Sequence, residues 1–199
     1  MTDCFELLNE PRRPWLDPEA LKQKFIALSA RLHPDRVHQA SGPERAAAQE
    51  RYTELNAAYN RLRDPKERLL HLLELELGAK PKDIQRIPPD LISLFNELNQ
   101  SCREADGLLG EKRRINSPLL KVQMFDRSQQ LTEQLAALQQ KIASKRGELL
   151  AEIQRMDSVW DDVPGRKAAL GRLEELYRLL SYFNRWTGQL QERIVQLSL

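Results

Sequence analysis

The sequence predicts an all-α protein, and three observations carry that prediction. Leu, Glu, Gln, Arg and Ala dominate a chain whose aromatic content is only 6% and whose charged content is 30%, the balance of long helices rather than of sheets. Apolar residues recur at helical spacing, with almost no alternating run of β-branched residues. The 11 prolines punctuate these segments, since each removes a backbone donor and disfavours helix in the residue before it.

Taken in order, a short first helix is expected at about Asp3 to Asn9, with Phe5, Leu7 and Leu8 apolar. The second starts with Asp17 as N-cap and Pro18 at the first helical position. It sets Leu21, Phe25, Leu28 and Leu32 on one stripe and stops at His33-Pro34. A third runs from Ser41-Gly42-Pro43 to about Arg63, offering Ala48, Tyr52, Leu55, Tyr59 and Leu62 to that stripe. The two should form an antiparallel hairpin. Asp64-Pro65 opens a fourth helix through Leu69, Leu72 and Leu73, which Gly78 closes.

Residues 79–88 read as a proline-rich linker, which divides the chain into domains of 1–78 and 89–199. Beyond the linker a helix is expected from Pro89 to Asp106, with Leu91, Leu94, Leu98 and Cys102 in phase, ended by Gly107 and Gly110. Ser117-Pro118 caps a longer helix in which Leu131, Leu135, Leu138, Ile142, Lys145 and Leu149 alternate in steps of four and three, a coiled-coil seam broken only at Lys145. After Pro164-Gly165 the device repeats with Leu173, Leu176, Leu180, Phe183, Thr187, Leu190, Ile194 and Leu197. The short connection makes these two antiparallel. The tail is thus a three-helix bundle whose two long helices, at roughly 50 to 60 Å, extend as a coiled-coil arm. At its tip Trp160, among Asp157, Asp161 and Asp162, is expected to staple the turn, a contact site being the alternative.

Several functions are disfavoured by composition. A formal charge of +2 from 31 basic and 29 acidic residues is diffuse, so no nucleic acid is expected as a partner. Cys4 and Cys102 have no neighbouring Cys or His at ligand spacing, and no metal site or disulfide is expected. No apolar stretch is long enough for a membrane span, which points to the cytoplasm. His38 and His71 have no second ligand at helical spacing, and no phosphate loop, nucleophile triad or paired carboxylate set stands out. The sequence predicts no catalytic residues and no cofactor.

One triplet stands out, His33-Pro34-Asp35 between two amphipathic helices. Pro34 fixes its own φ and pushes His33 out of the α region, so the chain must turn there and display both side chains in a loop. Around it, Asp3-Cys4-Phe5-Glu6-Leu7-Leu8, Leu32-His33-Pro34-Asp35-Arg36 and Leu55-Asn56-Ala57-Ala58-Tyr59-Asn60-Arg61-Leu62-Arg63-Asp64-Pro65 resemble, in order, the corresponding segments of the J-domain family. The resemblance implies that the loop and one face of the preceding helix dock on a DnaK-type ATPase chaperone and speed its ATP hydrolysis. The docking residues would be His33, Pro34 and Asp35 with Lys24, Arg31 and Arg36, while Ile26 and Ala27 stand where many relatives carry Lys or Arg.

The Gly/Phe-rich linker and cysteine-rich module of general J-proteins are missing from the sequence. Phe25 within Leu21-Lys22-Gln23-Lys24-Phe25, the run Leu72-Leu73-Glu74-Leu75-Glu76-Leu77-Gly78 and the three-helix tail instead resemble the HscB group of iron–sulfur assembly co-chaperones. That resemblance implies an HscA-type chaperone as partner and an iron–sulfur scaffold protein as client, held through Leu91, Ile92, Phe95 and Tyr182. Ordinary packing of a helix between two others is the alternative reading of Leu91 and Phe95, whereas Ile92 lies about 100° or more around the helix from its core stripe. The acidic residues that accompany this patch in relatives are largely replaced by Asn96, Asn99 and Arg103. A J-domain adaptor for a different client, or a structural helical protein with a vestigial loop, are the other readings.

Overall fold

The computed structural model describes residues 2–33, 41–81, 87–114 and 117–198, with the main chain alone for 118, 119, 121 and 123. Seven α-helices, two short 3-10 turns and no strand occur among the described residues. None of these helices is long and apolar enough to cross a membrane. They group into two compact units: Met1–Lys82 with Leu150–Tyr177, and Asp83–Leu149 with Arg178–Leu199.

In the first unit, helices α1 (Cys4–Leu7), α2 (Pro18–Leu32), α3 (Gly42–Arg63) and α4 (Pro65–Leu77) start where their capping residues say they should. Asp3 accepts from the Phe5 and Glu6 N–H groups, Asp17 from that of Ala20 and Asp64 from that of Glu67, each satisfying a donor the helix cannot. Gly78, at φ 71°, takes the left-handed turn that ends α4. Phe5, Leu8, Leu21, Leu55, Leu62, Leu69, Leu72 and Leu73 are buried together, each contributing roughly 2 kcal/mol of transfer free energy. α2 and α3 are antiparallel, for Phe25 stacks on Tyr59 at 4.1 Å while His33, farther along α2, meets the earlier Tyr52. Of the expected α2 stripe only Leu21 is fully buried; Phe25, Leu28 and Leu32 are half-buried because two helices alone cannot enclose them.

Two buried polar groups tie this unit together. Arg68, 3% exposed, donates to the Pro14 carbonyl at 3.0 Å and the Leu62 carbonyl at 2.8 Å, so it occupies an orphan acceptor at the end of α3. Burial holds its pKa down to about 10, and it remains charged at neutral pH. His71 accepts the Cys4 N–H on Nε2 at 2.9 Å, lies against Phe5, and turns Nδ1 toward Glu74 at 4.0 Å. A ring nitrogen that accepts is unprotonated, so the imidazole is neutral.

Burial first, then the Arg61 and Arg12 guanidiniums, push the His71 pKa below the usual 6.5, against the pull of Asp3 and Glu74. The folded state therefore binds fewer protons than the unfolded one. Its contribution to stability is complete above pH 6.5 and is lost as pH falls through the lowered folded value. Urea midpoints should accordingly drop as pH is taken from 7.5 toward 5 (about two units, spanning the ordinary His value). His71→Gln should flatten that dependence; an equal slope in the variant would assign it to other groups.

The remaining helices are α5 (Ile92–Arg114), α6 (Pro118–Met156) and α7 (Val163–Ser198), with 3-10 turns at Pro89–Leu91 and Asp157–Val159. The sequence reading assigned all of 89–199 to one domain, but the tip of the α6–α7 hairpin packs with the first unit. Arg13 binds Asp157 at 3.1 Å and Asp161 at 2.8 Å, and the Trp15 N–H reaches Asp157 at 3.3 Å. Trp160, 1% exposed, donates its indole N–H to the Arg12 carbonyl at 2.6 Å, under the Arg166 guanidinium. It is thus a contact to the α1–α2 connection, which corrects the expectation that it only staples its own turn. Heptad spacing reports the seam between α6 and α7 and carries no information about a partner 148 residues away.

In the second unit α5 and α6 are antiparallel, with Glu97 paired to Lys141 and Glu111 to Arg127. α5 and α7 are parallel: Phe95 meets Trp186 and Asp106 meets Arg193. Leu94, Leu98 and Cys102 pack against Leu131, Leu135, Leu138 and Ile142 and against Phe183 and Leu190. Trp186 is also buried, outside the expected seam, because α7 faces α5 as well as α6 and needs the wider apolar stripe. Both cysteines are buried free thiols.

α5 does not stop at Asp106 as expected but passes through Gly107 and Gly110. Ala105, Leu108 and Leu109 continue its core face, and that burial outweighs the glycine penalty of about 1 kcal/mol each. A Cβ at Gly107 would meet nothing within 4 Å. Gly107→Ala should therefore raise stability by about 0.5–1 kcal/mol in urea unfolding; a loss would show a constraint on this backbone other than helix propensity.

Candidate functional site

The helical conformation of α2 ends at His33, where ψ of 129° turns the chain into the extended region that a following proline demands. The His33 side chain is exposed, and its ring stands edge-on to Tyr52 of α3 at 5.4 Å. That contact sets the imidazole against α3. The Tyr52 partner was not foreseen as such, since its place at helical spacing marks it equally well as core. Pro34, Asp35 and Arg36, expected as docking residues, lie outside the described residues, as does His38.

The other expected docking residues fall on one flank of α2, Lys24 and Arg31 being two turns apart. Arg31 is exposed. Lys24 is engaged within the chain, binding Glu10 at 2.7 Å and the Asn9 carbonyl at 3.0 Å, so it secures the α1–α2 connection to α2. The neighbouring face carries Lys22, Ile26 and Ala30, one turn apart, in line with His33. Ile26 is 48% exposed, an apolar group on a face otherwise open to water.

The expected client-binding residues separate into two kinds. Leu91 and Tyr182 are buried in the second unit's core, at 4% and 9% exposure, whereas Ile92 is 46% exposed. Phe95 is half-buried, tilted against Trp186 at 5.9 Å. Only Ile92, with the outer edge of Phe95, offers apolar surface. No cluster of three or more His, Cys, Asp or Glu side chains among the described residues is placed to hold a metal.

This arrangement, a capped helical hairpin with His33 at its turn, is the build of a J-domain, and residues 3–71 match the DnaJ domain family. Residues 3–71 are thus a J-domain. Its relatives narrow the description. The chain is 44% identical to the co-chaperone protein HscB homolog of Bordetella pertussis over 72 residues, 36% of this chain and 42% of that protein. It is 29% identical to the HscB homolog of Chromobacterium violaceum over 126 residues, 61% of this chain and 72% of that one. The match to the Bordetella relative thus spans about two-fifths of that protein's length.

Solved structures extend the likeness of fold to nearly the whole chain. Chaperone HscB from Vibrio cholerae aligns with a TM-score of 0.63 at 21% identity, covering 98% of this chain and 99% of that one. Human co-chaperone protein HscB aligns with a TM-score of 0.66 at 19% identity, covering 96% and 81%. The protein is HscB-like in sequence over its J-domain and in fold over its helical tail.

Proposed function

We propose that this protein is a co-chaperone that stimulates ATP hydrolysis by a DnaK/HscA-type chaperone and delivers to it a client, an iron–sulfur scaffold protein. The observation that carries the reading is His33, set on Tyr52 at the end of α2 within the segment that matches the DnaJ domain. Such a protein contributes no reacting group. It stabilises the hydrolysis-competent state of its partner, and its effect is a coupling free energy between two proteins. Asp35 would accept charge-assisted bonds from a partner arginine, with His33 and Pro34 holding the loop in shape.

The docking face differs from a uniformly basic one. With Lys24 engaged by Glu10 and Ile26 exposed, the face is part apolar, so chaperone binding should depend less on salt than a fully charged contact would. The direct test is single-turnover ATP hydrolysis by DnaK-type and HscA-type chaperones with and without this protein. Acceleration by either supports the reading, and stimulation of neither removes it.

The client is assigned through α5. Ile92→Ala with Phe95→Ala should weaken binding of an iron–sulfur scaffold protein by roughly tenfold, as expected for the loss of two partly buried apolar anchors. Unchanged affinity would move the client elsewhere. A second reading, an adaptor for a different client, is favoured by one feature: Arg103 stands exposed beside this patch.

A further inference from the structure

The exposed face of α5 has a charge pattern of its own. Ile92, Asn96, Asn99 and Arg103 share one side of the helix, away from the core stripe of Leu94, Leu98 and Cys102. Phe95 bridges from this side to Trp186 of α7, where the exposed Arg185 lies beside the buried Tyr182. Arg103 is exposed and bonds only to the neutral Gln100 amide, at 3.1 Å. Arg185 is exposed and lies 5.7 Å over the Tyr182 ring. Neither meets a carboxylate among the described residues: Glu97 is paired with Lys141 at 2.6 Å and Asp106 with Arg193 at 2.8 Å, and Glu104, which accepts from the Gln100 amide, lies about 100° round the helix from Arg103. An apolar centre thus carries an uncompensated positive rim.

We propose that this face binds an acidic partner segment, one that presents a Leu- or Phe-type anchor to Ile92 and Phe95 and carboxylates to Arg103 and Arg185. The inference rests on the reading of this face as client-binding and adds the chemistry of the client. A basic segment would set like charges against both arginines, while an acidic one forms two exposed pairs, each changing affinity about two- to fivefold. The rim therefore selects the partner's sign of charge, and the apolar centre supplies the common affinity.

The test uses the full chain, labelled with 15N, and two synthetic helical peptides identical in their Leu and Phe positions, one bearing Glu and the other Lys at the flanking positions. The Glu peptide should bind about 4- to 25-fold more tightly and shift amide signals of residues 92–103 and 182–189. Arg103→Glu with Arg185→Glu should reverse the order, and Ile92→Ala should weaken both peptides while keeping it. Equal or tighter binding of the Lys peptide at the same residues would overturn the charge assignment and leave the client face standing. If neither peptide shifts these residues, the client face and the charge assignment both fall.

Discussion

Replacing Asp35 with Asn should cut the stimulation of ATP hydrolysis by the partner chaperone roughly 10- to 100-fold, the range of a typical coupling between two sites. The exchange keeps the size of the side chain and removes its charge, and hydrogen bonds to an ionised acceptor are roughly twice as strong as neutral ones. Helicity and unfolding midpoint should not change, since Asp35 follows the last residue of α2, Leu32, in the sequence and the core of this unit is built from other residues. His33→Gln makes the companion variant. Its exposed ring stands edge-on to Tyr52, a contact worth about 1 kcal/mol, so a loss of stimulation has to be told from a loss of fold. Circular dichroism separates the two outcomes. Stimulation that survives both substitutions would reduce the loop to a connection and leave a helical interaction protein.

Trp160→Ala should have the largest effect on stability, about 3–4 kcal/mol off the first unit, in the range measured for buried aromatic truncations. The indole is 1% exposed and its N–H is bonded to the Arg12 carbonyl, so the variant opens a cavity and takes the indole donor from a part-buried acceptor. Trp160→Phe fills most of the space and loses only the bond, at about 1–2 kcal/mol. Urea unfolding followed by Trp15 fluorescence, in a Trp186→Phe background that silences the second unit, reads the first unit directly. A fragment ending at Lys80 should show a comparable deficit, for it keeps α1 to α4 with their leucines but lacks the cover that Trp160, Asp157 and Asp161 give to the 12–15 segment. A loss under about 1 kcal/mol in both would mean that the hairpin tip adds nothing to the fold of this unit.

Local signals were legible wherever a residue acts on its own neighbours. Asp17-Pro18, Asp64-Pro65 and Gly78 set helix ends at the positions their chemistry demands, because an N-cap carboxylate or a left-handed glycine works within one turn. The end of α2 was legible for the same reason, Pro34 constraining His33 directly. The glycines of α5 misled because a propensity cost of about 1 kcal/mol is small beside the burial of Leu108 and Leu109, which depends on α6 and α7. Burial of Trp186 followed from the same source, a third helix that the two-helix seam does not reveal. An Arg12-Arg13 pair and an acidic hairpin tip were both visible in the sequence as opposite charges, but nothing in their spacing joins them.

The sequence by itself determined the helices, their caps, the antiparallel pairing of α2 with α3 and the end of α2 before Pro34, since each follows from backbone geometry and periodicity over a few residues. Only the tertiary structure decided which of Leu91, Ile92, Phe95 and Tyr182 meet solvent, that Lys24 answers to Glu10, and that Trp160 belongs to the first unit. Those outcomes rest on burial and charge pairing between segments far apart in the chain, where the energy comes from surfaces that exist only once the helices have packed.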